Sequence, residues 1–355
     1  MKSKVWFSAI SDGETPESVA ARTVKLASVA GLADIVRKDG LTGILQHVGE
    51  GRGVGYIKAP VTSAVAKAVR KHGGKPFLTG SATLYKGSRS NAVDHIMQAY
   101  AHGFVPENAG CPIIMCDGLR GADRVEVKVP GARHCKTAYL GSAVSLMDSL
   151  VVVTHPTGHI EAGYAASVKN VAMGLSSRGG KLAMHHGTYP VFNAEACTAC
   201  GQCVKWCPAN AIVMEKKARL LKEKCIGCGQ CYTVCAFDAI DFDWGVSGPR
   251  FQEMLVEYCV AAKTALRDRV LYINVVQHFQ EGCDCIGTPQ EAICKDLGIV
   301  ASRDIVAVDV ATAELLTKKL GRDIAKDATG IEYRGMLDYA QSVGLGSVDY
   351  DLVEV

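Results

Sequence analysis

The chain has 355 residues, 48% hydrophobic and 21% charged, with 39 Lys and Arg against 36 Asp and Glu for a formal net charge of +3. This is the composition of an ordinary soluble globular protein, long enough for one large domain or two. So small a charge excess speaks against nucleic acid as a partner. No run of eighteen apolar residues is present to span a membrane, and Ser8, Ser11, Asp12 and Glu14 interrupt any secretory h-region, so a cytoplasmic location is expected.

In chain order, residues 14–39 read as helix, with Val19, Val24, Leu26, Val29 and Leu32 on one apolar face. LTGILQHV reads as a buried strand. APVTSAVAKAVRKHGGKPFLTG reads as a helix stopped at Gly73-Gly74 and followed by a strand over Lys75–Thr79. NAVDHIMQAYAHG is a helix ending at Gly103. CPIIMCDG and SLVVVTHP read as strands. Past residue 246, FQEMLVEYCVAAKTAL is a helix, and VLYINVVQ and DIVAVDVA read as strands. Helices alternating with short apolar strands predict an α/β fold with a mainly parallel sheet and flanking helices.

That pattern stops between residues 187 and 245. CTACGQCVKWCP and CIGCGQCYTVCA each carry C-x2-C-x2-C-x3-C, so eight of the fifteen cysteines fall between Cys197 and Cys235. Clustered cysteines without a signal peptide point to metal ligation rather than disulfides. The spacing is that of bacterial ferredoxins with two [4Fe–4S] clusters, in which the fourth cysteine of each run serves the other cluster. Cys197, Cys200, Cys203 and Cys235 are therefore expected to hold one cluster, and Cys225, Cys228, Cys231 and Cys207 the second. Two zinc sites fit poorly, since zinc ribbons use separated C-x2-C pairs. The resulting division is an α/β domain over residues 1–186, an inserted ferredoxin-like α+β module over 187–245, and the rest of the α/β domain over 246–355.

Several polar stretches follow the strands, where open α/β sheets bind ligands. LQHVGEGRGVG contributes His47 beside a run of glycines. GSRSNAVDH places Asn91 at a helix start, as an anion holder or a simple cap. Asp117, Arg120, His155, His159, Lys169, Asn170 and Arg178 are candidates to line one polar pocket. In EGCDCIG, an extended backbone would put Cys283 and Cys285 on one side, as a metal or redox pair for which Cys111, Cys116, Cys135, Cys259 and Cys294 are candidate further ligands.

Taken together, LQHVGE, GSRSNAVDH, DGLRG, HPTGH, VKNVAMG, SSRGGK, the double cysteine run and CDCIG followed by GIVASRDIVAVD make the chain resemble the DUF362 family of Fe–S proteins over nearly its whole length. The resemblance implies an α/β host with an inserted two-cluster ferredoxin, in prokaryotes of anaerobic lineage, and implies no particular substrate. The expected function is low-potential electron transfer through two [4Fe–4S] clusters to a partner, such as a ferredoxin-linked oxidoreductase, or to a site in the host domain. The alternative is a ferredoxin-fed oxidoreductase with its own substrate or metal site near Cys283 and Cys285. Self-association into a homo-oligomer is expected on base rates alone.

Overall fold

The computed structural model describes residues 2–355 other than Lys86, 186–188, Cys228, 243–247 and 325–329, and of Thr233 the backbone alone. Seven strands build the central sheet: β1 (Ser3–Ala9), β2 (Leu41–Gln46), β3 (Lys75–Thr79), β4 (Ser149–Thr154), β5 (Val270–Val276), β6 (Gly298–Ser302) and β7 (Tyr350–Glu354). Their order is β7-β1-β6-β5-β4-β2-β3. Six of them run parallel, and β6 is antiparallel to both its neighbours, β5 and β1.

The sheet is mixed α/β because both its faces are covered. β4 and β5 are buried along their whole length, which is why SLVVVT and VLYINVV are almost continuously apolar. Alternation still assigns the faces. Leu150 and Val152 enter one core, with α4 (Ser167–Gly174), α6 (Pro249–Ala265) and α7 (Ile305–Leu320). Val151 and Val153 enter the other, with α1 (Pro16–Val29) and α2 (Ala59–Lys71). Two further helices matter below: α3 (Ala92–Ala101) and α5 (Arg178–Met184). No helix among the described residues is long and apolar enough to cross a membrane.

Two expectations about the elements need correction. DIVAVDVA is the start of α7, not a strand. Asp304 caps it, its Oδ1 accepting from the Val306 and Ala307 amides at 2.9 and 3.1 Å, and the helix is apolar nearly all round because it packs on the sheet. The strand lies just upstream, in GIVAS. CPIIMCDG is not a strand either; it makes a single bridge, Leu78 to Ile113, at the edge of β3.

Residues 190–242 form a smaller structure with its own apolar cluster. Pro190–Phe192 pairs antiparallel with Ile240–Phe242, and Ile212–Met214 with Ala218–Leu220. Between them, the short helices Gln202–Lys205 and Gln230–Val234 pack against each other. Each is entered through a glycine in the left-handed region, Gly201 at φ 76° and Gly229 at φ 69°, a conformation that costs glycine nothing. The cluster includes Cys197, Cys203, Cys231, Tyr232 and Phe242, and also Leu84 and Leu182 from the α/β domain.

Candidate functional site

Four adjacent parallel strands, β3, β2, β4 and β5, end on the same edge of the sheet. The loops that leave them enclose a cavity of about 600 Å³. β2 delivers Gln46 and His47, β3 the stretch from Gly80 to Arg89, β4 the segment His159–Glu161, and β5 the turn that holds Cys283 and Cys285. α4 and α5 add Lys169 and Lys181 to the wall. This is the carboxyl-edge position where open α/β sheets bind ligands.

Two buried ion pairs tie these loops together. Arg89 Nε donates to Glu50 Oε2 at 2.8 Å, joining the β3 and β2 loops. The Glu50 carboxylate also accepts from the Ser88 amide at 2.7 Å and from the Tyr85 hydroxyl at 3.3 Å. The second pair joins the β4 and β5 loops. His155 Nδ1 donates to Asp284 at 2.9 and 3.0 Å, and its Nε2 donates to the Gln277 carbonyl at 2.7 Å. Both ring nitrogens face pure acceptors, so the ring is an imidazolium. Burial works against that charge, but Asp284 outweighs it and raises the histidine, while His155 holds Asp284 low against the same penalty. Removing either partner of such a pair strands a buried charge.

The pair His155–Asp284 anchors the residue between the two thiols. The backbone there is a turn, not extended: the Ile286 amide donates to the Cys283 carbonyl at 3.0 Å and the Cys285 amide to Cys283 Sγ at 3.4 Å. The turn, rather than strand alternation, brings both sulfurs to the cavity. Lys169 Nζ lies 3.0 Å from Cys283 Sγ, and His47 Nε2 and an Arg89 nitrogen each lie 3.7 Å from Cys285 Sγ. The Gly49 amide donates to His47 Nδ1 at 3.1 Å, so the proton of this neutral ring is on Nε2, facing Cys285. Burial and then Arg89 keep the ring neutral. The neighbouring Cys283 thiol, with Lys169 and His47 nearby, holds Cys285 well below a normal thiol, and Cys285 and burial push Cys283 up. Lys169 is raised by both sulfurs despite its burial. The result is a pair of thiols, one raised and one lowered, within reach of three nitrogen donors.

The other expected residues separate into distinct places. His47, His159, Lys169 and Asn170 line the cavity. His155 is behind it, in the ion pair. Asp117 is wholly buried, accepting from the Ala82 amide at 3.0 and 3.2 Å, and burial raises it to about 6. Asn91 caps α3, accepting from the Asp94 amide at 3.0 Å. Arg120, Arg178 and Asn91 line a separate cleft with Tyr232, Cys235 and Asp238 of the cysteine segment. The single polar pocket expected from sequence is therefore divided between two sites, the cavity with Lys181 of α5 and the cleft with Arg178 of α5. The expected extra cysteine ligands are also elsewhere. Cys111, Cys116, Cys135 and Cys259 are core residues, and Cys294 packs at its margin; none lines the cavity. Among the described residues, no three His, Cys, Asp or Glu side chains converge on a single-ion site.

Sequence reasoning missed His95, Glu161, Lys181 and His185 on the cavity wall. SSRGGK was legible as a motif, but only the fold turns Lys181 inward from α5. Burial lowers Lys181 to about 8 and His185 to about 4. Burial and the charge of Lys169 lower His159 to about 3.

In the cysteine segment, Cys197, Cys200, Cys203 and Cys235 line one small cleft, three from the first run and the fourth from the second. Backbone N–H bonds from Ala218 and Ala199 favour the Cys197 thiolate. Of the other set, Cys231 is buried, Cys207 packs against the same cluster and accepts from the Ala211 amide at 3.2 Å, Cys225 is half-buried, and Cys228 lies outside the described residues. The segment rests on α5. Arg178 stacks over the Tyr232 ring at 5.5 Å. Trp206 and Pro208, which flank Cys207, share a cleft with Ser177 and Gly179. Leu84 belongs to both places: it lines the cavity and joins the apolar cluster of the cysteines.

No curated protein matches the chain in sequence. Among solved structures, the lactate racemase apoprotein from Thermoanaerobacterium thermosaccharolyticum is similar at a TM-score of 0.38 and 14% identity, over 76% of this chain and 50% of that one. A crystal structure of a protein from Thermotoga maritima is similar at 0.42 and 9% identity, over 94% of this chain and 58% of that one. The chain thus spans about half of the first protein's length and under three fifths of the second's. A family model matches residues 44–314, a span that takes in the four strand ends, the cavity and the cysteine segment, and by it the chain belongs to DUF362, a domain of unknown function.

Proposed function

We propose that this is an iron–sulfur electron-transfer protein, in which residues 187–245 are an inserted ferredoxin-like module that holds two [4Fe–4S] clusters. The observation that carries the reading is the shared cleft of Cys197, Cys200 and Cys203 with Cys235. This crossed set of four thiols is what the double C-x2-C-x2-C-x3-C repeat demands. The donors suit a cluster: all are sulfur, one has its thiolate favoured by backbone N–H groups, and left-handed Gly201 and Gly229 fold the backbone close around them. When bound, the clusters supply single-electron carriage. Lys216, Lys217, Arg219, Lys222 and Lys224, in the link between the runs, offer an acidic redox partner a docking face. The chemistry belongs in a reducing, anaerobic cytoplasm.

Paired cysteine variants test the ligand sets. Cys200→Ser with Cys235→Ser removes two ligands of one cluster and should leave about four irons per chain. Cys200→Ser with Cys207→Ser strikes both clusters and should leave almost none. The opposite pattern would overturn the crossed assignment.

A second reading, a ferredoxin-fed oxidoreductase, is favoured by the cavity itself. Leu84 joins the apolar cluster of the cysteines to the cavity that holds Cys283 and Cys285, so electrons from the module would enter the cavity there. There Lys169 and His47 are placed to hold or deliver protons. Metal beyond about eight irons, lost in the Cys283→Ser/Cys285→Ser double variant, would mean that the pair binds a further ion. Unchanged metal content would mean that it acts as thiols.

A further inference from the structure

We infer that the cavity is a binding site for a small organic acid, whose carboxylate is received by Lys181 and His95. The inference deepens the oxidoreductase reading by naming a substrate class, and it begins with a buried imidazole nitrogen that has no hydrogen-bond partner and a buried ammonium that has no carboxylate in contact, among the described residues. His95, on α3, is 5% exposed, and its Nδ1 has no hydrogen-bond partner among the described residues. Burial and the nearby positive charges of Arg89 and Lys181 keep its ring neutral. A buried polar atom left unpaired costs about 1–3 kcal/mol, a loss that a ligand group opposite it would recover.

Lys181 is 6% exposed. Its ammonium donates to Ser81 Oγ at 2.8 Å and to the Ala82 carbonyl, both neutral acceptors. The other cations of the wall are better matched: Arg89 contacts the Glu50 carboxylate, and Lys169 contacts Cys283 Sγ and is raised by both sulfurs of the pair. The carboxylate nearest in effect to Lys181 is Asp117, which is engaged by the Ala82 amide and makes no ion pair with Lys181 among the described residues. A buried ammonium held only by neutral oxygens, on the wall of the same cavity as an imidazole with an unpaired nitrogen, is a seat for an oxyanion.

The chemistry of the wall selects a carboxylate over a phosphate. One ammonium and one imidazole match the two oxygens of a carboxylate. Phosphate sites are built from more donors, such as an arginine fork or several backbone amides, and the Arg89 fork is already committed to Glu50 and Tyr85. The remaining surface is largely apolar, from Leu45, Leu84, Met173, Phe251 and Ile286. It suits a carbon body that extends from the acid group toward the Cys283 and Cys285 sulfurs.

Calorimetric titration of the anaerobically prepared, cluster-loaded protein tests this. The probes are straight-chain and aryl carboxylates of two to nine carbons, each paired with its primary amide, and inorganic phosphate. At least one acid should bind about tenfold or more tightly than its amide. Lys181→Met should weaken that acid about 10- to 100-fold, the value of a charged hydrogen bond, and should leave the amide unchanged. His95→Phe should weaken it less. If every acid binds no better than its amide, the inference fails, and this comparison needs no variant to fold. It fails equally if phosphate binds more tightly than every acid, or if a folded Lys181→Met protein keeps the acid's affinity. Binding is read on the resting protein, so such a failure would leave its iron, sulfide and reduction, and with them the electron-transfer reading, untouched.

Discussion

Cys285 shows how much of the chemistry here is set by neighbours rather than by residue type. The sequence made Cys283 and Cys285 visible as a pair. It gave no sign that Lys169, Arg89 and His47, from three other segments, would surround them. A lowered thiol reacts faster with alkylating agents at neutral pH. Iodoacetamide at pH 7 should therefore label Cys285 ahead of Cys294, and Lys169→Met should slow that labelling about tenfold, as read by peptide mass spectrometry. Equal rates for wild type and variant would remove Lys169 from the account. The His155–Asp284 pair gives a pH-dependent prediction. The raised histidine contributes stability in full below its unfolded value of about 6.5, and loses it as pH rises through its native value. The lowered aspartate contributes in full above about 3.9 and loses it as pH falls through its native value. The pair is thus worth most between about pH 4 and 6.5. Asp284→Asn should cost about 3 kcal/mol in that window and less at pH 9, measured as the change in Tm.

At the scale of elements, β2, β3, β4 and β5 and their following loops were legible because apolar runs ended in clusters of glycine and polar residues. DIVAVDVA was misread because α7 is buried nearly all round, which erases the helical period and leaves a run that resembles a strand. Its real signal was Asp304. That carboxylate caps α7 and also accepts from Ser3 Oγ at 2.6 Å and from the Ser347 amide at 2.9 Å, so it ties both ends of the chain to the helix. Asp304→Ala should cost about 2 kcal/mol in chemical denaturation, and Asp304→Asn much less; equal costs would deny the cap. Glu50→Gln should loosen the β2 and β3 loops through the stranded charge of Arg89, at a cost of about 3–5 kcal/mol. His95 and Lys181 were not legible at this scale, because helix periodicity says which residues are buried and not which are buried without partners.

For the molecule as a whole, the sequence separated the double cysteine run from the α/β pattern. It could not say how the two parts meet. The fold places the cysteine segment on α5, which also lines the cavity through Lys181, and Leu84 is common to both. The polar residues first grouped into one pocket divide accordingly: His159 and Lys169 face the cavity, while Arg120 and Arg178 face the cysteines. That division came from topology, since residues 120 and 178 are brought together with residues 232–238 only by the folded chain. The proposed electron transfer requires that the eight cysteines hold two clusters. Iron, zinc and acid-labile sulfide in the anaerobically purified protein measure this most directly. About eight irons and eight sulfides per chain are expected; about two zinc ions with no sulfide would contradict the proposal.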